Sequence, residues 1–191
     1  MGIEVYCGSL DSQVESTTAM TKSQLDSYKE LGNSLEQVEN SVSDLSGKAY
    51  DSFRAFITSV IIPLKETGVA LAEATQEDVK SLPKEYRAQV ADEDLQEDKL
   101  IEDIQHYDQL IVANQASIDT IAASKSTSSG SFQRLQGLQK LGDTYSAARD
   151  KLQEKLDKLR AFNASSPEIF GDIDALAQAI DTGVGQLASS W

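Results

Sequence analysis

The chain has 191 residues, with 17 Lys plus Arg against 31 Asp plus Glu, which gives a formal net charge of −14 with its single histidine neutral. A protein that neutralises phosphates needs clustered surplus cations, so this balance argues against nucleic acid as a partner and disfavours an anionic membrane surface. Hydrophobic types reach 40% and aromatics 6%, with 11 Gly and 3 Pro, so the composition is neither that of a disordered chain nor that of a turn-rich β protein, and helices are expected.

The opening Met1-Gly2-Ile3-Glu4-Val5-Tyr6 has no cationic or apolar region of a cleaved signal peptide, and Tyr6 stands where a myristoylation pattern wants Ser or Thr. Apolar positions then recur at helical spacing. Leu10, Val14, Thr17, Thr21, Leu25, Tyr28, Leu31, Leu35, Val38 and Val42 step by three and four, and the pattern breaks at Asp44-Leu45-Ser46-Gly47. Ser46 is a candidate N-cap there, and Gly47 accepts the backbone geometry of a tight reversal. The next segment, from Lys48, is the most hydrophobic; Tyr50, Phe53, Phe56, Ile57, Val60, Ile61 and Leu64 cover more than one face, which predicts burial on two sides. Pro63 removes a backbone donor, so a kink is expected near residues 59 to 63, and Pro83 marks a second kink or the helix end. The first hairpin is thus placed at about 10–80.

A heptad series follows, Leu100, Ile104, Tyr107, Ile111, Asn114, Ile118 and Ile121, ending in the polar stretch Ser124 to Ser131. The fourth segment uses Leu135, Leu138, Tyr145, Ala148, Leu152, Leu156, Leu159 and Phe162 and makes a second antiparallel hairpin at about 97–163. Charge supports the pairing: residues 92 to 108 hold eight acids and one base, whereas 149 to 160 hold five bases and three acids. Folding back at about residue 128 sets Asp98 near Lys158 and Glu102 near Lys155. Ser166-Pro167 opens a last short helix, about 167–188, with Ile169, Ile173, Leu176, Ile180, Val184 and Leu187 inward. The expected fold is all-α: an elongated bundle of two long antiparallel helical hairpins plus a short C-terminal helix.

Chemistry is sparse. One cysteine, Cys7, makes no internal disulfide, and His106 is read as a surface histidine beside Glu102. Asp92-Glu93-Asp94 lacks the EF-hand spacing, because Gln96 and Glu97 stand at the fifth and sixth positions. Asn114 at a heptad core position is read as a register-setting polar residue. No catalytic, cofactor or metal residue is nominated, and the chain is expected to be non-enzymatic.

Five pieces in order carry a family likeness: Gly2-Ile3-Glu4-Val5, the Leu45-Ser46-Gly47-Lys48-Ala49-Tyr50-Asp51 turn, the Ile62-Pro63-Leu64 step, the acidic stretch from Tyr86 to Asp98, and Leu159-Arg160-Ala161-Phe162-Asn163-Ala164-Ser165-Ser166. Together they resemble the LXG domain, the N-terminal part of polymorphic toxins of Gram-positive bacteria, over roughly residues 1 to 187. The resemblance implies export without a cleaved signal peptide by a type VII (Esx) secretion system, small WXG-like helical targeting or chaperone partners, and interbacterial toxicity residing in a C-terminal domain. It makes Leu45 and Gly47 the motif positions, and the chain ends at Trp191, where an LXG domain is expected to end. Phe170 and Asp174 match the spacing of related export signals only at the frequency chance provides.

The first helix covers one side of the second, so the surplus face through Phe53, Phe56, Val60 and Leu64 needs the second hairpin or another protein, and it is the expected partner interface. Two alternatives stand beside this reading. One is a self-associating coiled-coil protein. The other is a helical membrane-active toxin, against which the most apolar run, Ala55 to Leu64, is ten residues where a membrane span needs about 20. No stable membrane insertion is expected.

Overall fold

The computed structural model describes residues 2–42, 47–124 and 129–189 of the chain. Strand β1 (Glu4–Val5) leads into helix α1 (Cys7–Val42). Helix α2 (Lys48–Phe56), a π-helical turn (Ile57–Ile61) and α3 (Ile62–Gln89) follow without a break. Strand β2 (Leu95–Gln96) precedes α4 (Glu97–Ala123) and α5 (Ser129–Ser165). A 3-10 turn (Ser166–Phe170) then opens α6 (Gly171–Ser189). The fold is all-α, with two long helical hairpins and a C-terminal helix, as the periodicity predicts. Its only sheet among the described residues is the antiparallel pair β1 and β2, with Glu4 opposite Gln96 and Val5 opposite Leu95.

The chain divides into two compact units, one of residues 1–7 with 86–165 and one of residues 8–85 with 166–191. Neither follows a single hairpin. The first takes the N-terminal segment along with the second hairpin, and the second takes the C-terminal helix along with the first hairpin.

In the first unit, α4 and α5 pair along the heptad seam. Leu100, Ile104, Leu156, Leu159 and Phe162 are buried in it, and each such side chain contributes about 1.5 to 3 kcal/mol over being exposed. Arg149 donates to Asp108 at 3.2 Å and Arg160 to Glu97 at 2.7 Å, pairs that centre the hairpin register near residue 128 as the sequence predicts. The individual ion pairs differ from expectation. Lys155 reaches Glu93 at 2.6 Å rather than Glu102, and Lys158 turns along its own helix to Glu154 at 2.7 Å rather than across to Asp98. Long exposed side chains choose among several acids separated by ~0.2 to 1 kcal/mol, so the seam sets the register and leaves the pairing loose.

Asn114 sits in that seam, 8% exposed, and its Nδ2 donates to the Leu138 carbonyl on α5 at 2.9 Å. A Cβ on Gly142 would stand 2.8 Å from the same nitrogen, so glycine is what lets the amide in. Its Oδ1 is buried and has no hydrogen-bond partner among the described residues. An unmet buried acceptor costs about 1 to 3 kcal/mol, so Asn114→Leu should stabilise the unit by about 1 kcal/mol in urea unfolding while loosening register, read as a second set of seam crosslinks in cysteine-pair variants.

The N-terminal segment is clipped onto this unit. Ile3 donates its N–H to Glu97 Oε2 at 3.0 Å and its carbonyl accepts from the Glu97 N–H at 2.8 Å, while the Cys7 N–H, in the first turn of α1, donates to Asp94 Oδ1 at 2.8 Å. Beneath the clip Tyr86 is fully buried, donates its hydroxyl to the Glu93 carbonyl at 2.8 Å and packs edge-on against Phe162, ring centroids 5.5 Å apart. The Ile3 N–H and then Arg160 hold the Glu97 carboxyl below its ordinary range. A carboxylate with a depressed folded pKa stabilises the fold above its unfolded value and loses that contribution as pH falls through the folded one. Protection of the Ile3 amide against hydrogen exchange should therefore fall on acidification below pH ~4, and Glu97→Gln should remove that pH dependence.

The reading of Pro83 as a possible helix end is corrected. Helix α3 passes through it to Gln89, with Pro83, Tyr86 and Val90 all buried at helical spacing. Burial of those three side chains outweighs one missing donor. The last helix opens as a 3-10 turn over Ser166–Phe170, and the α-helical geometry begins at Gly171 rather than at Pro167.

In the second unit, α3 runs antiparallel to α1 and to α6. A Cβ on Gly68 would collide with the Tyr28 phenol and one on Gly183 would meet Leu64 Cδ1 at 2.8 Å, so at both points a large side chain lies directly on a neighbouring helix's backbone. Thr21 is fully buried on α1 and satisfies its hydroxyl on the Thr17 carbonyl at 2.9 Å.

Candidate partner-binding face

Gly47 precedes α2 as its N-cap with φ 136° and ψ 156°, a conformation that L side chains avoid and glycine takes freely. Its carbonyl accepts the Asp51 N–H at 3.0 Å and closes the first turn. Of the two motif residues, Gly47 has this conformational role; Leu45, like the candidate cap Ser46, lies outside the described residues.

Helix α2 contains no buried residue. Tyr50 is 40% and Phe53 44% exposed, Phe56 is half-buried, and the first fully covered side chain is Ile57 in the π-helical turn. That turn has a local cause. Pro63 offers no N–H to the Ser59 carbonyl and its ring crowds it, and a five-residue turn just upstream makes room: the Ile62 N–H bonds to the Ile57 carbonyl, five residues back. The sequence expects a kink at 59 to 63, and the chain answers with the π-helical turn at 57–61.

One added residue per turn shifts every later side chain by about 100° around the axis. Phe53, Phe56, Val60 and Leu64, which an ideal helix would align, therefore do not share one straight stripe. Phe53 stays exposed, Val60 is half-buried, and Leu64 is turned onto α6 at Gly183. Here the expectation that only the second hairpin or another protein could cover the surplus face is corrected: the C-terminal helix covers its Leu64 end. Val184, expected inward on that helix, is instead 51% exposed. The remaining uncovered part is the aromatic one, Tyr50 and Phe53.

Among the described residues no group of three or more His, Cys, Asp or Glu is placed to hold a metal ion. His106 is exposed, with its ring against Tyr107 at a centroid distance of 6.1 Å. It borders a cleft of about 430 Å³ with Asp103, Lys151 and Lys155. Lys155 in that cleft is bound to Glu93 at 2.6 Å.

The continuous helix from Lys48 to Gln89 is long and apolar enough to cross a membrane by length and composition, and 17% of its most apolar stretch is buried. The ten-residue run understates this. The apolar character resumes past the charged pair Lys65-Glu66 and Gly68, so the length argument against a span does not hold for this helix.

Residues 7–191 match the LXG domain of the WXG superfamily. The chain belongs to the LXG family. A curated protein named Toxin, from Bacillus cereus, is 24% identical to this LXG chain over 189 residues, which is 99% of the chain and 32% of that protein. The LXG chain thus spans about a third of the length of the relative it matches. No solved structure matches it.

Proposed function

We propose that this LXG chain is a non-enzymatic export-targeting and partner-binding domain of an interbacterial polymorphic toxin, carried by a type VII (Esx) secretion system, with the toxic chemistry in a part of the protein that the chain does not span. The observation that carries this reading is the LXG match over residues 7–191, and the toxin relative three times as long supports it. The partners are small WXG-like helical proteins, and the surface offered to them is the aromatic side of α2, where Tyr50 and Phe53 are 40% and 44% exposed. Exposed aromatics grouped on one face mark interaction surfaces, because each leaves apolar area unburied that a partner helix would cover.

The test is export of the full-length toxin from its own host. Tagged toxin should accumulate in culture supernatant of the parent strain and be absent from that of a strain lacking the type VII ATPase. Undiminished export in the second strain would sink the reading. The apolar length of Lys48–Gln89 favours a second reading, a membrane-active helical domain. Dye release from vesicles of zwitterionic lipid by the purified chain would support it, and full dye retention would remove it.

A further inference from the structure

We infer that the second unit has no complete core of its own and that a helical partner supplies it, laying an apolar face flanked by basic side chains along α1, α3 and α6. The inference rests on the partner-binding reading above and extends it from the aromatic side of α2 to the whole unit.

The two units are built differently. Among the described residues the first fully buries eight hydrophobic side chains, Tyr86, Leu159 and Phe162 among them, whereas the second, though longer, fully buries only Ile57 and Ala72. On α1 the stripe Leu10, Val14, Leu25, Tyr28, Leu35 and Val38 is half-buried throughout, and Met20 and Leu31 are exposed. On α6 Ile173, Leu176, Ile180 and Leu187 are half-buried and Val184 is exposed. Where the three helices converge, a cleft of about 370 Å³ beside Tyr28, Leu64 and Ile180 stays open. A half-buried stripe has one neighbour and room for a second.

Charge says what the second neighbour is. Residues 8–85 and 166–191 hold 17 acids and 7 bases, so this unit carries 7 − 17 = −10 of the chain's −14, and α6 has no base at all. Two such units laid face to face would set −10 against −10, which argues against a second copy as the cover, and an anionic membrane is repelled for the same reason. What fits is a chain of different sequence whose apolar stripe runs between lysines or arginines. Its docking surface is continuous with the aromatic side of α2, since α2 runs into α3 without a break. Because such a partner binds the folded unit and completes its core, it also stabilises that unit by mass action.

The experiment follows amide hydrogen exchange of the full chain, alone and with each small WXG-like protein encoded beside its gene. Alone, amides of α1 and α6 should exchange at least about tenfold faster than those of the α4–α5 seam; with partner they should slow about tenfold or more, while the seam changes by less than about threefold. Leu31→Asp and Val184→Asp, both at exposed positions, should each weaken binding about tenfold or more with helical content unchanged. Val112→Asp, more exposed still but in the first unit, should leave binding within about threefold. Rising salt should weaken the complex, as attraction between an acidic unit and a basic stripe requires. Protection of α1 and α6 in the free chain equal to that of α4 and α5 would overturn the incomplete core. Protection gained only over Tyr50 to Phe56, or a dimeric parent chain whose dimer is lost in Leu31→Asp, would overturn the proposed cover and leave the partner reading standing. Absence of binding by the parent chain to any of these proteins would overturn the partner reading, and exchange in the free chain would still decide whether the core is incomplete.

Discussion

Phe53→Ala should abolish co-purification with the proposed WXG-like partners and the proposed export, while leaving the domain folded. The ring is 44% exposed on a helix with no buried residue, so its removal takes little from the fold, within about 0.5 kcal/mol. In a complex the same ring would be buried, and truncating a buried interfacial aromatic costs about 2 to 4 kcal/mol, a thirty- to thousandfold loss of affinity. The informative comparison is with Leu64→Ala. That side chain lies on Gly183 of α6, so its truncation should lower stability first and binding only through it. Charge reversal at Lys158, whose ion pair among the described residues is with Glu154 of its own helix, should change neither quantity. Quantitative pull-down beside urea unfolding of each variant separates the three behaviours. Equal loss of stability in the Phe53 and Leu64 variants would mean that Phe53 is a core residue.

Tyr86→Ala should have the largest effect on folding of any single change in the first unit. The side chain is fully buried, its ring packs on Phe162, and its hydroxyl holds the carbonyl of Glu93, next to the aspartate that caps the first turn of α1. Truncating a buried aromatic costs about 3 to 5 kcal/mol, against a total of about 5 to 15 kcal/mol for a domain. Loss of the clipped N-terminal segment should accompany it, seen as collapse of Ile3 amide protection. Tyr86→Phe keeps the ring and gives up one hydrogen bond, so it should cost about 1 kcal/mol. The phenol also gives the unit an alkaline limit. Burial first, and then the nearby acidic groups, push its pKa up to about 12. A group with a raised folded pKa contributes stability that is complete below the unfolded value and is lost as pH rises, so the parent should weaken between pH ~10 and about 12. Tyr86→Phe should lack that limb in pH-dependent urea unfolding.

Much of the architecture was legible because helical periodicity is a local property. The heptads of α4 and the leucines of α5 gave both the pairing and its register, and the acid and base blocks agreed with them. Side-chain choice within that register was not legible: Lys155 and Lys158 each have several acids in reach, and nothing in spacing separates them. The strands β1 and β2 escaped notice because two residues make no alternation, and the Cys7 to Asp94 cap joins groups 87 positions apart. What did point to this region was the family likeness. Three of its five pieces, the opening Gly2 to Val5, the stretch Tyr86 to Asp98 and the junction Leu159 to Ser166, supply Ile3, Tyr86, Glu97, Arg160 and Phe162 to one cluster. For the candidate interface, the surplus of apolar residues after Lys48 was readable, and its division was not. A π-helical turn changes the phase of the helix without changing its composition, and a glycine such as Gly183 gives no hint from sequence that Leu64 will rest on it.

The division of the chain into units made from its two ends and its middle has a consequence for how the protein comes into being. Ile3 is made early relative to its partners, since Glu97 and the clip around it follow some ninety residues later, as the 94-residue separation of Ile3 and Glu97 requires. Helix α1 must wait longer still for α6, whose Gly183 and Ile180 complete the unit that α1 begins. Neither unit can close on a nascent chain until its most distant element has been made, the end of α5 for the first and α6 for the second. Until then the nascent chain has its local hairpins, α1 with α3 and later α4 with α5, while the apolar surfaces that the chain-distant elements cover stay open to solvent or to a partner.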